Sequence, residues 1–308
     1  MKSYFTMSRL AAAFAAALLP TQFSASAASP HNLAPRVAAI ANPGAPLNCV
    51  SSDQFGNRNP KVHPPCSTPY GMTYGEWTAK WWQWVYSIPL ESNPQLAGMP
   101  PQPDVDCSQG QSGPVWFLAA GFGGTAVRSC TVPTGVSIFF PVTNTYFGVI
   151  GFDCIHRGAF PNGYPAAFLP VSDCLANPWP HPDLGIGTQD QPNVHNYADL
   201  VKLVAAHLDD PGPIDAEIDG VSIRDLTAYR AQAPIFSVTT PSHNILGFVW
   251  PGIGPYGTGA ADTYYPNGSD GYWLMLTPLT PGKHTVHFAA GAPPWLDVTY
   301  HLTVRPGH

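Results

Sequence analysis

The chain has 308 residues, a net charge of −6 and only 10% charged residues, against a usual share near 25%. It has no basic run, so nucleic acid is not an expected partner, and its 9 Trp, 13 Tyr and 15 Phe argue against disorder. The 36 Pro and 29 Gly require many turns and few long helices, the composition of a mainly β, loop-rich protein.

The N-terminus reads as a signal peptide over 1–27. Lys2 and Arg9 precede an apolar run from Leu10 to Leu19, and Ala25-Ser26-Ala27 fits the small-residue exit, with cleavage after Ala27 or Ala28. That run is shorter than the ~20 apolar residues a membrane span needs, and no later segment is long and apolar enough. The expected location is therefore secreted or periplasmic. Residues 28–70 read as an extended arm, and 71–308 as a single domain with a long loop insertion at 141–195. In an oxidising compartment the six cysteines default to disulfides. Six cysteines allow about 15 pairings, which sequence alone does not distinguish; the sequential one is taken as the expectation: Cys49 with Cys66, Cys107 with Cys130, and Cys154 with Cys174.

The strongest element runs from Thr73 to Ile88. Thr73 and Glu76 have capping-box spacing. Trp77, Trp81, Trp84 and Ile88 fall along one helical face, with Lys80, Gln83 and Ser87 on another. Pro89 ends the helix. Val115 to Ala119 and Val136 to Phe140 read as buried strands. A second helix is predicted from His195 to Leu208, with Asn196 as N-cap and Leu200, Val204 and Leu208 on its apolar face. Asp219-Gly220 signals a two-residue type I′ turn in a hairpin from Ile214 to Ile223, with Ala216, Ile218, Val221 and Ile223 sharing one face. Strands are predicted at Phe236 to Thr240 and Ile245 to Trp250, followed by a loop over 251–271. Three C-terminal strands follow: Tyr272 to Leu276, Lys283 to Phe288 and Trp295 to Val304. The last alternates Leu296, Val298, Tyr300, Leu302 and Val304 against Asp297, Thr299, His301 and Thr303, the pattern of a half-buried antiparallel strand. The predicted fold is mainly β: an antiparallel β-sandwich, jelly-roll or Ig-like, with two helices and long Pro/Gly-rich loops.

Tyr74-Gly75-Glu76-Trp77 with Trp81-Trp82-Gln83-Trp84, and Pro281-Gly282-Lys283-His284-Thr285-Val286-His287-Phe288, resemble segments of an uncharacterised family of secreted bacterial proteins. Gly113-Pro114-Val115-Trp116-Phe117-Leu118 and the Ile218-Asp219-Gly220-Val221 turn carry the same likeness. The resemblance implies export and kinship, and no activity.

A Trp stripe at helical spacing packs into a core more often than it offers a sugar platform, so Trp77, Trp81 and Trp84 are assigned to the core. Trp82 and Tyr86 lie off the stripe and are expected at the exposed rim. With Tyr146, Tyr164 and Trp179 from the 141–195 loop they form the candidate ligand-binding set, since aromatics with scattered polar groups suit a cleft. His156, His181, His195, His287 and His301 are weak metal candidates, because no tight ligand spacing is present. Thr285 and His287 are expected beside Thr299 and His301 on a polar sheet face, where two exposed histidines are the simpler reading. No G-x-S-x-G occurs; Gly110-Gln111-Ser112-Gly113 leaves a Ser112 triad open only in principle. Glu76 is taken by the capping box, which counts against a glycosidase pair built on it. No motif implies a cofactor. The leading expectation is an exported β-sandwich that binds a polysaccharide or cell-envelope component. The alternatives are a hydrolytic or metal-dependent enzyme sited in the 141–195 loop, and a structural envelope protein.

Overall fold

The computed structural model describes residues 59–96, 106–148, 197–245, 249–250, 254–255 and 261–305. Within them lie helices α1 (Tyr74–Ser87) and α2 (Tyr197–Ala206) and strands β1 (Val115–Phe117), β2 (Gly124–Pro133), β3 (Ser137–Gly148), β4 (Ile214–Ile218), β5 (Val221–Ser222), β6 (Arg230–Gln232), β7 (Phe236–Thr240), β8 (Val249–Trp250), β9 (Gly254–Pro255), β10 (Asp262–Leu276), β11 (Gly282–Gly291) and β12 (Pro294–Arg305). The predicted signal peptide and most of the predicted arm lie outside the described residues.

The strands form two five-stranded sheets and one short pair. The first sheet runs β1-β3-β10-β6, with β7 also on β10; the second runs β2-β12-β11-β4-β5; β8 pairs with β9. The mainly β sandwich is as expected, but the sheets are mixed rather than antiparallel. β1 joins β3 in parallel, and β2 joins β12 in parallel over ten residue pairs. The chain leaves β2 through a turn at Gly135, which has positive φ, and enters β3 in the other sheet. Because β2 and β12 come from distant parts of the chain, no hairpin forces them to run in opposite directions.

α1 forms where local signals converge. Thr73 accepts from the Glu76 N–H at 3.2 Å, and Glu76 accepts from the Thr73 N–H at 2.7 Å, completing the capping box. At the other end the buried Asn93 donates to the carbonyls of Val85 and Ile88, satisfying groups a helix end leaves open. The helix packs on the first sheet, and each of its indoles finds an acceptor: Trp77 on the Pro69 carbonyl, Trp81 on Leu118, Trp84 on Gln109 and Trp82 on the Ser269 hydroxyl. Trp81 also meets Trp273 edge-on, and Trp273 stacks on Phe139. The opposite face of this sheet meets the inner face of the second, where Phe140 stacks on Phe288.

α2 buries Leu200 and Val204, and Leu208 just beyond its end is buried as well, as predicted. It approaches β10 closely at Gly268, where an added Cβ would lie 3.3 Å from Leu200. Arg230 fastens it from below. Its guanidinium donates to the Ala205 carbonyl and Asp209, and to the fully buried Asp270. A cation on the last carbonyls of a helix is well placed for the helix dipole.

Three further expectations need correction. The insertion does not begin at 141, because β3 continues to Gly148. Pro141 hid this: it lacks an N–H, and the ladder absorbs it by a register shift opposite Tyr272 and Trp273. The 251–271 loop is shorter than predicted, since β10 starts at Asp262. Finally, Asp219 and Gly220 both take positive φ, as a type I′ turn requires, but Val221 is 64% exposed. It sits on a two-residue edge strand whose free side pairs with no other strand among the described residues. The strand predicted from Ile245 is described only at Val249–Trp250.

Candidate functional site

The residues predicted to bind ligand divide into two groups. Tyr164 and Trp179, with the metal candidates His156, His181 and His195, lie outside the described residues. Trp82, Tyr86 and Tyr146 are brought together. Trp82 stacks on Tyr86 at 5.7 Å between centroids, and Tyr146 lies 4.6 Å from Trp82 and 5.2 Å from Tyr86. Trp82 and Tyr86 are not at an exposed rim, however; they are 6% and 7% exposed. α1 lies flat on the sheet, and the rising end of β3 sends Tyr146 against the flank where solvent was expected. The polar atoms are consumed locally. Tyr146 donates to the Asn267 side-chain Oδ1 at 2.6 Å, and Ser269, which accepts from Trp82, donates to the Thr145 carbonyl. Burial pushes the Tyr86 and Tyr146 phenols well above their ordinary range, so both stay neutral.

The open polar surface is on the other side of the molecule, on the outer face of the second sheet. Strand alternation builds it. The inward set of β12 is buried, and Trp295, Asp297, Thr299, His301, Thr303 and Arg305 face out. Parallel pairing with β2 sets Val127 beside Thr299, Ser129 beside His301 and Thr131 beside Thr303. Antiparallel pairing with β11 sets His287 opposite Thr299, Thr285 opposite His301 and Lys283 opposite Thr303. Thr285 and His287 thus stand beside Thr299 and His301 as predicted.

A groove of about 490 Å³ crosses this face, lined by Ser129, Thr131, Asp219, Lys283, Thr285 and His301 together with neighbouring residues. Asp219 organises one wall. It accepts from Lys61 at 2.6 Å, His284 at 2.9 Å and the Thr285 N–H at 2.9 Å. Partial burial opposes its ionisation, but those donors prevail and hold its carboxyl down at about 2. His284 is spent in the process, with Nδ1 on Asp219 and Nε2 on the Thr280 carbonyl at 2.9 Å. Both ring nitrogens thus have an oxygen partner within the fold.

His287 sits further along, with Nε2 3.1 Å from Asp297 and Nδ1 3.9 Å from Asp215. Among the described residues no group of three or more His, Cys, Asp or Glu is arranged to hold a metal. Ser112 is exposed beside Gly113, bridged to Val115 at the mouth of β1. At the near end of β12, Trp295 is 45% exposed. Its indole lies against Gly291, where an added Cβ would come within 2.5 Å of the ring.

No known protein family, curated protein or solved structure matches the chain. The groove residues therefore have to be read on their chemistry alone. Among them only His301 is a site candidate on sequence grounds. Asp219 reads as a turn residue and Ser129 carries no signal, because the groove is assembled by strand pairings between distant segments.

The structure also contains a Ser–His pair that the sequence did not suggest. His63 Nε2 lies 3.1 Å from the Ser137 hydroxyl, which is also 3.1 Å from the Tyr70 hydroxyl. Ser137 is fully buried, so the pair ties the incoming segment to β3 and offers no nucleophile to solvent. Cys107 and Cys130 are joined as predicted. Cys66 is also in a disulfide, with a partner outside the described residues. No helix among the described residues is long and apolar enough to cross a membrane.

Proposed function

We propose that this chain is an exported, secreted or periplasmic, glycan-binding β-sandwich, and that it binds its ligand along the outer face of the second sheet. The observation that carries the reading is the make-up of that face. Rows of Thr, Ser and His side chains from β2, β12 and β11 stand exposed or half-exposed, next to a polar groove and in line with a solvent-facing Trp. Such side chains donate and accept, which suits a ligand covered in hydroxyls. An indole supplies a flat apolar surface for a sugar ring. The ring edge lies close over the Gly291 backbone, where only a glycine leaves room for it.

Binding without turnover fits better than hydrolysis. Of the groove's two histidines, His284 has both nitrogens engaged, and its carboxylate, Asp219, is saturated by three donors. Neither group is left to act as acid or base. The disulfide and the N-terminal signal layout support a location outside the cytoplasm. Polysaccharide or cell-envelope glycan is the ligand class this chemistry fits.

Affinity electrophoresis through gels containing neutral and acidic polysaccharides tests the reading. At least one polymer should retard the protein. Trp295→Ala should weaken that retardation by about tenfold, the effect of losing one well-placed aromatic contact, without changing stability. Absence of retardation by every polymer would remove this reading.

A further inference from the structure

The outer face of the second sheet is electrically divided. Asp215, Glu217 and Asp297 occupy one end around His287, which contacts two of them. The other end carries Lys283, His301 and Arg305. Pairing places Lys283 opposite Thr303, two residues from both His301 and Arg305 on β12. At strand spacing these side chains fall within about 14 Å, while Asp297 lies about 27 Å from Arg305. Lys61 adds a further cation beside the groove, paired with Asp219.

Lys283, His301 and Arg305 are exposed, and none has an ion-pair partner among the described residues. Neighbouring Asp219 cannot serve, because Lys61, His284 and the Thr285 amide already hold its two oxygens. In a chain with net charge −6 and only 10% charged residues, an unpaired basic cluster beside a groove is not explained by the overall balance. Lys and Arg ends on such a surface are matched to carboxylates or similar anions.

We infer that the glycan bound here is a polyanion, a uronate-containing polysaccharide whose carboxylates seat on Lys283 and Arg305, with His301 contributing between them. The inference rests on the glycan-binding reading of this face and narrows its ligand class. Trp295 lies about 20 Å from His301 along β12, so the chain would run from the aromatic end to the basic end. On this reading its uncharged rings pass over Trp295 and Thr299, and its acidic residues reach the groove.

The test compares partially methyl-esterified polygalacturonate, which carries both acidic and uncharged rings, with its fully methyl-esterified form, which keeps the backbone and removes the charge. Binding of the full chain is measured by titration calorimetry at about 20 mM and about 200 mM NaCl, which shortens the screening length several-fold. The acidic polymer should bind about tenfold tighter at low salt, as two exposed ion pairs would give. That preference should shrink at high salt and vanish in Lys283→Gln/Arg305→Gln. Equal binding of the two polymers, or a preference that survives in the double variant, would overturn the anionic subsite and leave the glycan-binding reading intact. Failure of both polymers, and of every neutral one, would overturn the two readings together.

Discussion

Asp219 shows how much one residue can hold when its backbone conformation is unusual. It occupies the first position of the type I′ turn with φ 54°, a region where Asn and Asp are tolerated better than most side chains. That turn points its carboxylate back at β11, where the Thr285 amide, His284 and Lys61 converge on it. The carboxyl is held at about 2, below its ordinary 3.8, so the charged form stabilises the fold. The contribution is complete above the unfolded value and is lost as pH falls through the folded one. Asp219→Asn keeps the turn and removes the charge. The side chain is 29% exposed, so solvent screening limits the effect, and the variant should be less stable by about 1 kcal/mol at neutral pH. The gap between variant and parent should close as pH drops from about 4 to about 2. Denaturant unfolding across that range measures it; a gap independent of pH would mean that the carboxylate's charge is not what ties the hairpin to β11.

At the scale of elements, α1 is packed on more of its circumference than an amphipathic helix needs. Trp81 is fully buried and Trp82, about 100° around the axis, is buried almost as well, against Tyr86 and Tyr146 and bonded to Ser269. Truncation of either to Ala should therefore cost about 3–5 kcal/mol. If Trp82→Ala unfolds at the parent's denaturant midpoint while Trp81→Ala does not, the Tyr146 flank contributes no packing. The helix, the type I′ hairpin and β12 were legible in the sequence because each is written in a local period or a short turn signature. β2 was not. Its alternation is inverted, with Val127 65% exposed while Arg128 turns inward to the Ala119 carbonyl and the Tyr300 hydroxyl. Trp82 was misplaced for a related reason. Helical periodicity locates one buried stripe but carries no information about a neighbouring strand that covers a second. The groove was the least legible feature, since Ser129, Asp219, Lys283 and His301 meet only after β2 pairs with β12 and β11 with both β12 and β4.

For the whole molecule, the two sheets are joined not only through the core but also by the segment that leads into β1. Cys107 in that segment is bonded to Cys130 in β2. Gln109 accepts from Trp84 of α1, and Gln111 donates to Phe117 of β1 while accepting from its N–H. One short stretch thus fastens the helix layer and the first sheet to the far edge of the second. Cys130 lies between Ser129 and Thr131, both of which line the groove, so the same bridge steadies the proposed binding face. The disulfide closes a loop with a sequence separation of 23, for which chain entropy gives about 3 kcal/mol. Cys107→Ser/Cys130→Ser should lose about that much stability in denaturant unfolding and should also bind glycan more weakly, because the edge strand that carries Ser129 and Thr131 loses its anchor. Lys283→Gln/Arg305→Gln provides the contrast. Its side chains touch only the outer surface, so stability should stay within about 0.5 kcal/mol of the parent while acidic-glycan binding falls. If the serine variant were destabilised yet bound glycan as the parent does, the bridge would serve the fold alone, and β2 would hold its side of the groove through its ladder with β12.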